Sequence, residues 1–212
     1  MLHNWNKTLK MGEDLAKKKI KCFKTPIIAG KYKGKNILIP SLETTRSSKS
    51  ILRESLFNTI AFDVVDANFV EMFAGSGSVG LEALSRGAKK AYFIEQNPTA
   101  FKLLKENINN IDPKNSIAYN ADAFEIFDSL YSNLKRSNEK TIFYFDPPFS
   151  IREDFEDIYD RCIELISRVK DDFVKLIVIE HMSSIDLPQN IGELELIKKR
   201  KFGKSSLSYY SI

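Results

Sequence analysis

The sequence has few of the residues that cross-link small proteins or bind structural metals: its 212 residues include two cysteines and two histidines. Cys22 and Cys162 are far apart in the chain and predict neither a disulfide framework nor a Cys-rich zinc site. His3 and His181 are too few for a His-rich metal site. We therefore expect a protein without metal in a reducing compartment, and we interpret His181 as a turn or packing residue.

Long apolar runs are also absent. No segment approaches the roughly 20 apolar residues that a membrane-spanning helix requires, and residues 1–19 lack the apolar stretch of a secretory leader. Because 43% of the residues are hydrophobic, including 15 Phe and 8 Tyr, the chain can bury a sizeable core. These features predict one large domain in the cytoplasm, without a membrane partner.

The positive charge is concentrated at one end of the chain. Residues 1–53 contain 13 Lys/Arg and 3 Asp/Glu, whereas the remaining residues contain 19 and 25. A basic face on an acidic body indicates a polyanionic partner such as nucleic acid, although the lysines of residues 17–21 alone could equally be a solvated tail. We divide the chain into a basic extension (1–25), a hairpin and helix (26–62) and a main domain (63–212).

Strand-like and helix-like segments alternate five times from residue 68 onward. This alternation predicts an α/β fold with a doubly wound, mostly parallel sheet and right-handed crossovers. The residues around Gly203 predict an antiparallel hairpin at the edge of that sheet. The five parallel strands are predicted at residues 68–73, 90–95, 116–120, 141–145 and 173–180.

A β-hairpin and a helix are predicted ahead of the sheet. Residues 26–40 contain two β-rich runs around a Gly/Lys connection, as in a hairpin. Residues 47–60 begin with serines suited to a helix N-terminus and place Leu52, Leu56 and Ile60 on one helical face.

A glycine-rich loop follows the first parallel strand. It reads Gly75-Ser76-Gly77-Ser78-Val79-Gly80, and its glycines permit a tight turn and close approach of the backbone to a ligand. Glu95 ends the next strand, 15 residues after Gly80, where a carboxylate can accept two ribose hydroxyls. Glycine loops with a downstream acid occur in NAD, FAD and S-adenosylmethionine sites, so this feature alone leaves the cofactor open.

Two further strand ends favour S-adenosylmethionine. Asp122 follows the third strand, where it can receive an adenine amino group. The fourth strand ends in Asp146, Pro147, Pro148 and Phe149. A hydride-transfer enzyme has no use for that segment, but a methyltransferase acting on an exocyclic amine does, and a plain strand-ending turn is the alternative.

The chemistry of an exocyclic amine explains the residue types in this segment. The amine is a poor nucleophile because its lone pair is delocalised into the ring. The carboxylate of Asp146 and the carbonyl of Pro147 can accept its N–H hydrogens and localise the lone pair toward a sulfonium methyl group. The prolines stiffen the turn, and Phe149 can stack on the base. The sulfonium leaves as a neutral thioether, so no metal is required.

These residues resemble a known family. FVEMFAGSGSVGLEALSRGA, FIEQN and YFDPPF are similar to class I S-adenosylmethionine methyltransferases, and IIAGKYKGKNILIP, TRSSKSILRESLFNTI and KKRKFGKSSLSYY narrow the resemblance to the RsmD-type enzymes. The resemblance implies a Rossmann-like sheet of seven strands and methyl transfer to the exocyclic N2 of one guanine in 16S rRNA. It further implies a cytoplasmic protein whose partner is the small ribosomal subunit or its precursor, and we expect a monomer.

The resemblance also implies roles for individual residues. Glu71, Gly75 and Gly77 would hold the methionine part of S-adenosylmethionine, Glu95 the ribose and Asp122 the adenine, with Phe73, Gln96 and Ala123 in the same site. Asp146 to Phe149 would hold the target guanine. Arg46, Lys49 and Arg53 would face RNA, although Arg53 could instead form an ion pair with a nearby acid. The family usually reads Arg-Pro-Thr-Thr/Ser-Asp-Arg/Lys before this helix, whereas this chain reads Arg46-Ser47-Ser48-Lys49.

Two other functions fit part of the pattern. A DNA adenine-N6 methyltransferase would use the same Asp-Pro-Pro-Phe segment, but only 63 residues follow Phe149, which leaves little room for a target-recognition domain. A non-catalytic ribosome-assembly factor that binds S-adenosylmethionine would have no need of an amine-binding segment.

Overall fold

An eight-stranded sheet forms the centre of the computed structural model. The structure describes residues 22–40, 46–148 and 157–212, except for the side chains of residues 46–48 and 157. The predicted basic extension lies outside the described residues up to residue 21. The strands are β1 (Cys22–Pro26), β2 (Asn36–Pro40), β3 (Asn68–Glu71), β4 (Lys90–Ile94), β5 (Ser116–Tyr119), β6 (Thr141–Phe145), β7 (Val174–Met182), β8 (Asn190–Ile191), β9 (Leu194–Phe202) and β10 (Ser205–Ser211). The helices are α1 (Arg46–Thr59), α2 (Ser78–Ser85), α3 (Pro98–Ile111), α4 (Ala123–Ser137) and α5 (Asp157–Ile166).

The predicted doubly wound topology is confirmed. The strand order is β5-β4-β3-β6-β7-β10-β9-β8, in which β5, β4, β3, β6 and β7 are parallel. The chain moves outward from β3 in one direction and then returns to place β6 on its other side. Ligands of such sheets bind beyond the carboxyl ends of the strands at this switch point. The ends of β3 and β6 therefore mark the expected site.

The sheet has one strand more than the seven predicted. The terminal hairpin is present as β9 and β10, joined around Gly203 and paired antiparallel to β7. The additional strand, β8, has two residues and pairs with the start of β9 through a turn at Gly192. Two residues are too few for an alternating pattern, so the sequence could not reveal this strand.

Strand β6 shows how the two faces of the sheet are covered. All five of its residues are buried, and alternate side chains point to opposite faces. Phe143 and Phe145 pack in the cluster that contains residues of α4 and α5, including Cys162, whereas Ile142 and Tyr144 pack against α1. The predicted amphipathic face of α1 is confirmed, because Leu52, Leu56 and Ile60 are buried in that second cluster.

The two cysteines have different surroundings. Cys162 is buried on α5, and this burial raises the pKa of its thiol to about 12. Cys22 is exposed on β1, and both thiols are free.

The predicted N-terminal hairpin begins earlier than expected. β2 lies within residues 26–40, but its antiparallel partner is Cys22–Pro26. Residues 27–35 are not a strand because their backbone groups bond to helix α2: Ile28 and Ala29 donate to the Glu82 carboxylate, and Lys31 donates to the Ser85 carbonyl. Gly30 is required there, since a Cβ atom would lie 1.9 Å from the Ser85 carbonyl oxygen.

Glu82 connects this segment to two helices. Its carboxylate is fully buried, accepts a hydrogen bond from Arg86 Nε at 2.8 Å and lies 3.7 Å from Arg53 Nε of α1. A buried carboxylate is stable only when its charge and its hydrogen-bond capacity are both satisfied. Glu82 therefore fixes the N-terminal segment and α1 against α2.

Glu82→Gln is expected to lower the free energy of unfolding by about 3 kcal/mol, since the buried Arg53 and the partly buried Arg86 lose their counter-charge. The measurement is urea denaturation. Glu54→Gln, which changes an exposed acid of α1, is the matched control and should change stability by less than about 0.5 kcal/mol. Equal losses in the two variants would contradict this role of Glu82.

Candidate active site at the carboxyl ends of the parallel strands

Two cavities open at the carboxyl edge of the sheet, and Asp146 lines both. The larger has a volume of about 380 Å³, within the range of small-molecule sites. The smaller, of about 90 Å³, lies between α1 and the ends of β3, β6 and β7. Six of the residues predicted to bind the cofactor line the larger cavity: Phe73, Gly75, Glu95, Gln96, Asp122 and Ala123.

The glycine loop connects β3 to α2 in a conformation that needs its glycines. Gly75 and Gly77 have φ values of 52° and 78°, in the left-handed region. A Cβ atom on Gly77 would lie 2.4 Å from Leu104 Cδ1, and one on Gly80 would lie 2.4 Å from Phe93 Cε1. The loop is thus packed against the layer beneath it. Gly77 shapes the loop but does not line the larger cavity.

Glu95 is fixed against the glycine loop. Its Oε2 accepts a hydrogen bond from Gly75 N at 2.8 Å, and its Oε1 accepts one from Asn97 N at 2.7 Å. The Asn120 side chain donates to the backbone carbonyls of Glu95 and Gln96. Each carboxylate oxygen has a second lone pair, so Glu95 can still accept hydroxyl groups from a ligand in the cavity.

The far wall of the larger cavity is aromatic. Asp122 caps α4 by accepting a hydrogen bond from Phe124 N at 2.7 Å, and both residues line the cavity. Phe73 meets the Phe124 ring edge-on at 5.8 Å. The guanidinium of Arg161 lies 3.9 Å from the centre of the same ring. Phe124 and Arg161 were not predicted from the sequence, because an aromatic and a basic residue within helices are ordinary features.

Glu71 lies beneath the glycine loop, in the smaller cavity. Its carboxylate is 3% exposed and accepts from Gly80 N at 2.9 Å and, more weakly, from Val79 N at 3.4 Å. Burial raises the pKa of Glu71 to about 8, although these two donors act in the opposite direction. A cation placed next to Glu71 would stabilise its ionised form.

Asp146 lies where the two cavities meet, together with Phe73 and Gly75. It follows β6, and its Oδ2 lies 2.9 Å from Lys49 Nζ of α1. Pro147 is buried and Pro148 is exposed at the larger cavity. Phe149 lies outside the described residues. The structure therefore brings together the first three residues of the predicted amine-binding segment.

Glu180 was missed as a site residue. It is 1% exposed on β7, accepts a hydrogen bond from the Tyr144 hydroxyl and places Oε1 3.5 Å from Lys49 Nζ. Burial and the charge of Asp146 raise the pKa of Glu180 to about 7, while Lys49 and Tyr144 lower it. The signal was available, since Glu180 ends the predicted fifth strand as Glu95 ends the predicted second.

The three residues predicted to face RNA have different outcomes. Lys49 is half-exposed and bridges Asp146 and Glu180. Arg53 does not face the solvent as predicted, since it is 5% exposed and donates to the Pro26 carbonyl at 2.9 Å. It forms an ion pair with Glu82, which was the alternative considered for this residue. Its position in the helix repeat places it beside Leu52 and Leu56 on the buried side. Arg46 begins α1, and its side chain lies outside the description.

Lys49→Met is expected to raise the pKa of Glu180 further above 7, because the variant lacks the ammonium whose charge and hydrogen bond lower this pKa. Carbon-13 NMR of glutamate carboxyls across a pH titration measures this. Lys114→Met, an exposed lysine at the opposite edge of the sheet, is the control and should leave the pKa of Glu180 unchanged. A fall in the Lys49→Met variant would contradict the assigned bridge.

Sequence comparison finds relatives that are named as methyltransferases. A protein from Buchnera aphidicola (subsp. Baizongia pistaciae), named ribosomal RNA small subunit methyltransferase D, is 29% identical over 203 residues, 93% of this chain and 95% of its own length. The protein of the same name from Escherichia coli K12 is 33% identical over 123 residues, 58% of this chain and 59% of its length.

Solved structures share the fold of this chain. The Escherichia coli protein yhhF, provisionally named a methyltransferase, superposes with a TM-score of 0.71 at 27% identity, covering 89% of this chain and 98% of that one. A methylase, likewise provisionally named, from Haemophilus influenzae has the same fold with a TM-score of 0.65.

A family model described as conserved hypothetical protein 95 matches residues 25–211. That range includes every described element from β2 onward, together with both cavities and Asp146. The chain therefore belongs to the conserved hypothetical protein 95 family.

Proposed function

We propose that this chain is an S-adenosylmethionine-dependent methyltransferase that modifies the exocyclic N2 of a guanine in the RNA of the small ribosomal subunit. The observation that carries the proposal is the position of Asp146, at the junction of a cofactor-sized cavity and a second cavity. Relatives named ribosomal RNA small subunit methyltransferase D support the RNA substrate. The Asp-Pro-Pro-Phe segment supports an amine as the acceptor.

The larger cavity fits an S-adenosyl group. Glu95, held by Gly75 N, would accept the ribose hydroxyls, and Asp122 would accept the adenine amino group. Phe73 and Phe124 provide apolar walls for the adenine ring. Glu71 would accept the methionine ammonium, whose positive charge suits a buried carboxylate. When bound, S-adenosylmethionine supplies a methyl group on a positively charged sulfur.

Asp146 can bind a target amine without losing Lys49. Its Oδ2 is occupied by the Lys49 ammonium, whereas a carboxylate has two oxygens and about four acceptor positions. Glu180 Oε1 lies on the other side of Lys49 Nζ and can hold the lysine when an amine approaches Asp146. Asp146 would accept an N–H of the guanine amine and then the proton that the methylated nitrogen loses.

Asp146→Asn should reduce methyl transfer by at least about 100-fold while leaving the affinity for S-adenosylhomocysteine within about threefold, because the change removes the negative charge and the oxygen that can take the proton from the amine. The measurement is transfer of labelled methyl groups into small ribosomal subunits from cells that lack this protein, with the label mapped to a nucleotide. Asp186→Asn, on an exposed acid, is the control. Label on adenine of duplex DNA, and none on ribosomal RNA, would reject the proposed substrate.

The affinity for S-adenosylhomocysteine should rise several-fold between about pH 6 and pH 7.5. The raised pKa of Glu71, about 8, means that the carboxyl is neutral at the lower pH and increasingly ionised, and so better able to accept an ammonium, as the pH rises. Isothermal titration calorimetry measures this, and Glu71→Gln should weaken binding and flatten the pH dependence. A variant with the native pH dependence would exclude Glu71 from ammonium binding, while Glu54→Gln should behave as the native protein does.

A further inference from the structure

The last part of the chain is basic and lacks acids. Residues 196–212 contain five basic residues and no Asp or Glu. The bases are Lys198, Lys199, Arg200, Lys201 and Lys204, and all lie on β9 or in the turn to β10. We call this segment, residues 198–204, the basic ribbon. A run of like charge on a strand needs an account, since like charges repel and weaken the strand that carries them.

The basic ribbon lies at the same edge of the sheet as Asp146. β7 runs parallel to β6, so its last residue, Met182, is at the carboxyl edge. Met182 pairs with Ser205 at the start of β10, and Ser205 pairs with Phe202 at the end of β9. The turn between them is thus three strands from β6, a distance of about 15 Å at the usual strand spacing. A nucleotide chain with one base at Asp146 reaches the turn within a few nucleotides.

The charges of the basic ribbon are exposed and largely unneutralised. Residues 197–201 are all exposed. Lys199 pairs with Asp186 at 2.9 Å, but no acid of the described residues forms an ion pair with Lys198, Lys201 or Lys204. Alternation along β9 directs neighbouring lysines to opposite faces, so positive charge surrounds the strand.

The ribbon is also joined to the helix that reaches the active site. Arg200 donates a hydrogen bond to the Ser55 hydroxyl of α1 at 2.9 Å. The same helix carries Lys49, whose ammonium contacts Asp146. Helix α1 therefore connects the ribbon to the junction of the two cavities.

Protection of an open sheet edge is the simplest alternative. β8 pairs only with Leu194 and Glu195, so from residue 198 onward the outer edge of β9 has no partner strand among the described residues. One or two lysines suffice to block strand addition. That role does not require Lys204, which lies beyond the strand in the turn at the active-site edge.

We propose that the basic ribbon binds the phosphate groups of the RNA that flanks the target nucleotide. This inference rests on the proposed function and adds to it the surface that holds the substrate. Lysine contacts to phosphate position a nucleic acid without reading its sequence. Asp146 and its neighbours would then select the base, and the ribbon would supply most of the salt-dependent affinity.

The test is binding of the native protein and of two triple variants to 16S rRNA and to small ribosomal subunits, at several salt concentrations. The ribbon variant is Lys198→Gln/Lys201→Gln/Lys204→Gln. The control is Lys90→Gln/Lys114→Gln/Lys140→Gln, which removes the same charge from exposed positions at the opposite edge of the sheet. Binding of S-adenosylhomocysteine should be native in both, which confirms that each variant is folded.

The ribbon variant should bind RNA about 10- to 100-fold more weakly at low salt, with the slope of log affinity against log salt shallower by about 2. The control should change affinity less than about threefold. Equal weakening of both variants, or native binding by the ribbon variant, would overturn the inference about the ribbon. In that case, RNA methylation by the native protein would still support the proposed function. Weaker binding to subunits but not to bare RNA would overturn it in favour of a ribosomal protein contact. Failure of the native protein to bind or methylate RNA would reject both.

Discussion

The buried carboxylate of Glu82 is the interaction on which the geometry of the site depends. It receives backbone N–H groups from residues 28 and 29, the guanidinium of Arg86 and the nearby charge of Arg53. Arg53 lies one helical turn from Lys49 on α1. Because Glu82 holds Arg53, it fixes the position and rotation of α1, and therefore the contact between the Lys49 ammonium and Asp146. The buried Glu82 carboxylate thus determines where the Lys49 side chain lies in the neighbouring cavity.

The smaller cavity is lined by more carboxyl groups than cationic groups. Glu71, Glu180 and Asp146 surround the smaller cavity, where Lys49 is exposed and Arg53 is engaged with Glu82. Burial is the main cause of the raised pKa values of Glu71 and Glu180, and the charge of Asp146 raises both further. A cationic ligand would stabilise the ionised forms of these carboxyls more than a neutral ligand would, which suits a sulfonium cofactor and favours release of its neutral thioether product.

Much of the fold and of the cofactor site could be predicted, because both depend on local patterns. Strand β6 was located to the residue, and the acids that follow β4, β5 and β6 line one cavity, since parallel strands end at one edge. Arg53 and the first strand of the hairpin were placed wrongly because their environment is set by Glu82, distant in sequence. Glu180 ends the predicted fifth strand and could have been included for that reason, but its contacts with Lys49 and Tyr144 form only in the folded chain.

The contrast between the two cysteines has a practical consequence. The thiolate is the nucleophile that attacks thiol reagents, so Cys162, buried beneath β6 with a pKa of about 12, is protected from them by both its burial and its protonation. Cys22 is exposed on β1, in the hairpin that also supplies Thr25 and Ile39 to the wall of the smaller cavity. The native protein thus carries one addressable thiol in a hairpin that contributes to the wall of the candidate site, so a fluorophore can be attached to this hairpin without any engineered mutation.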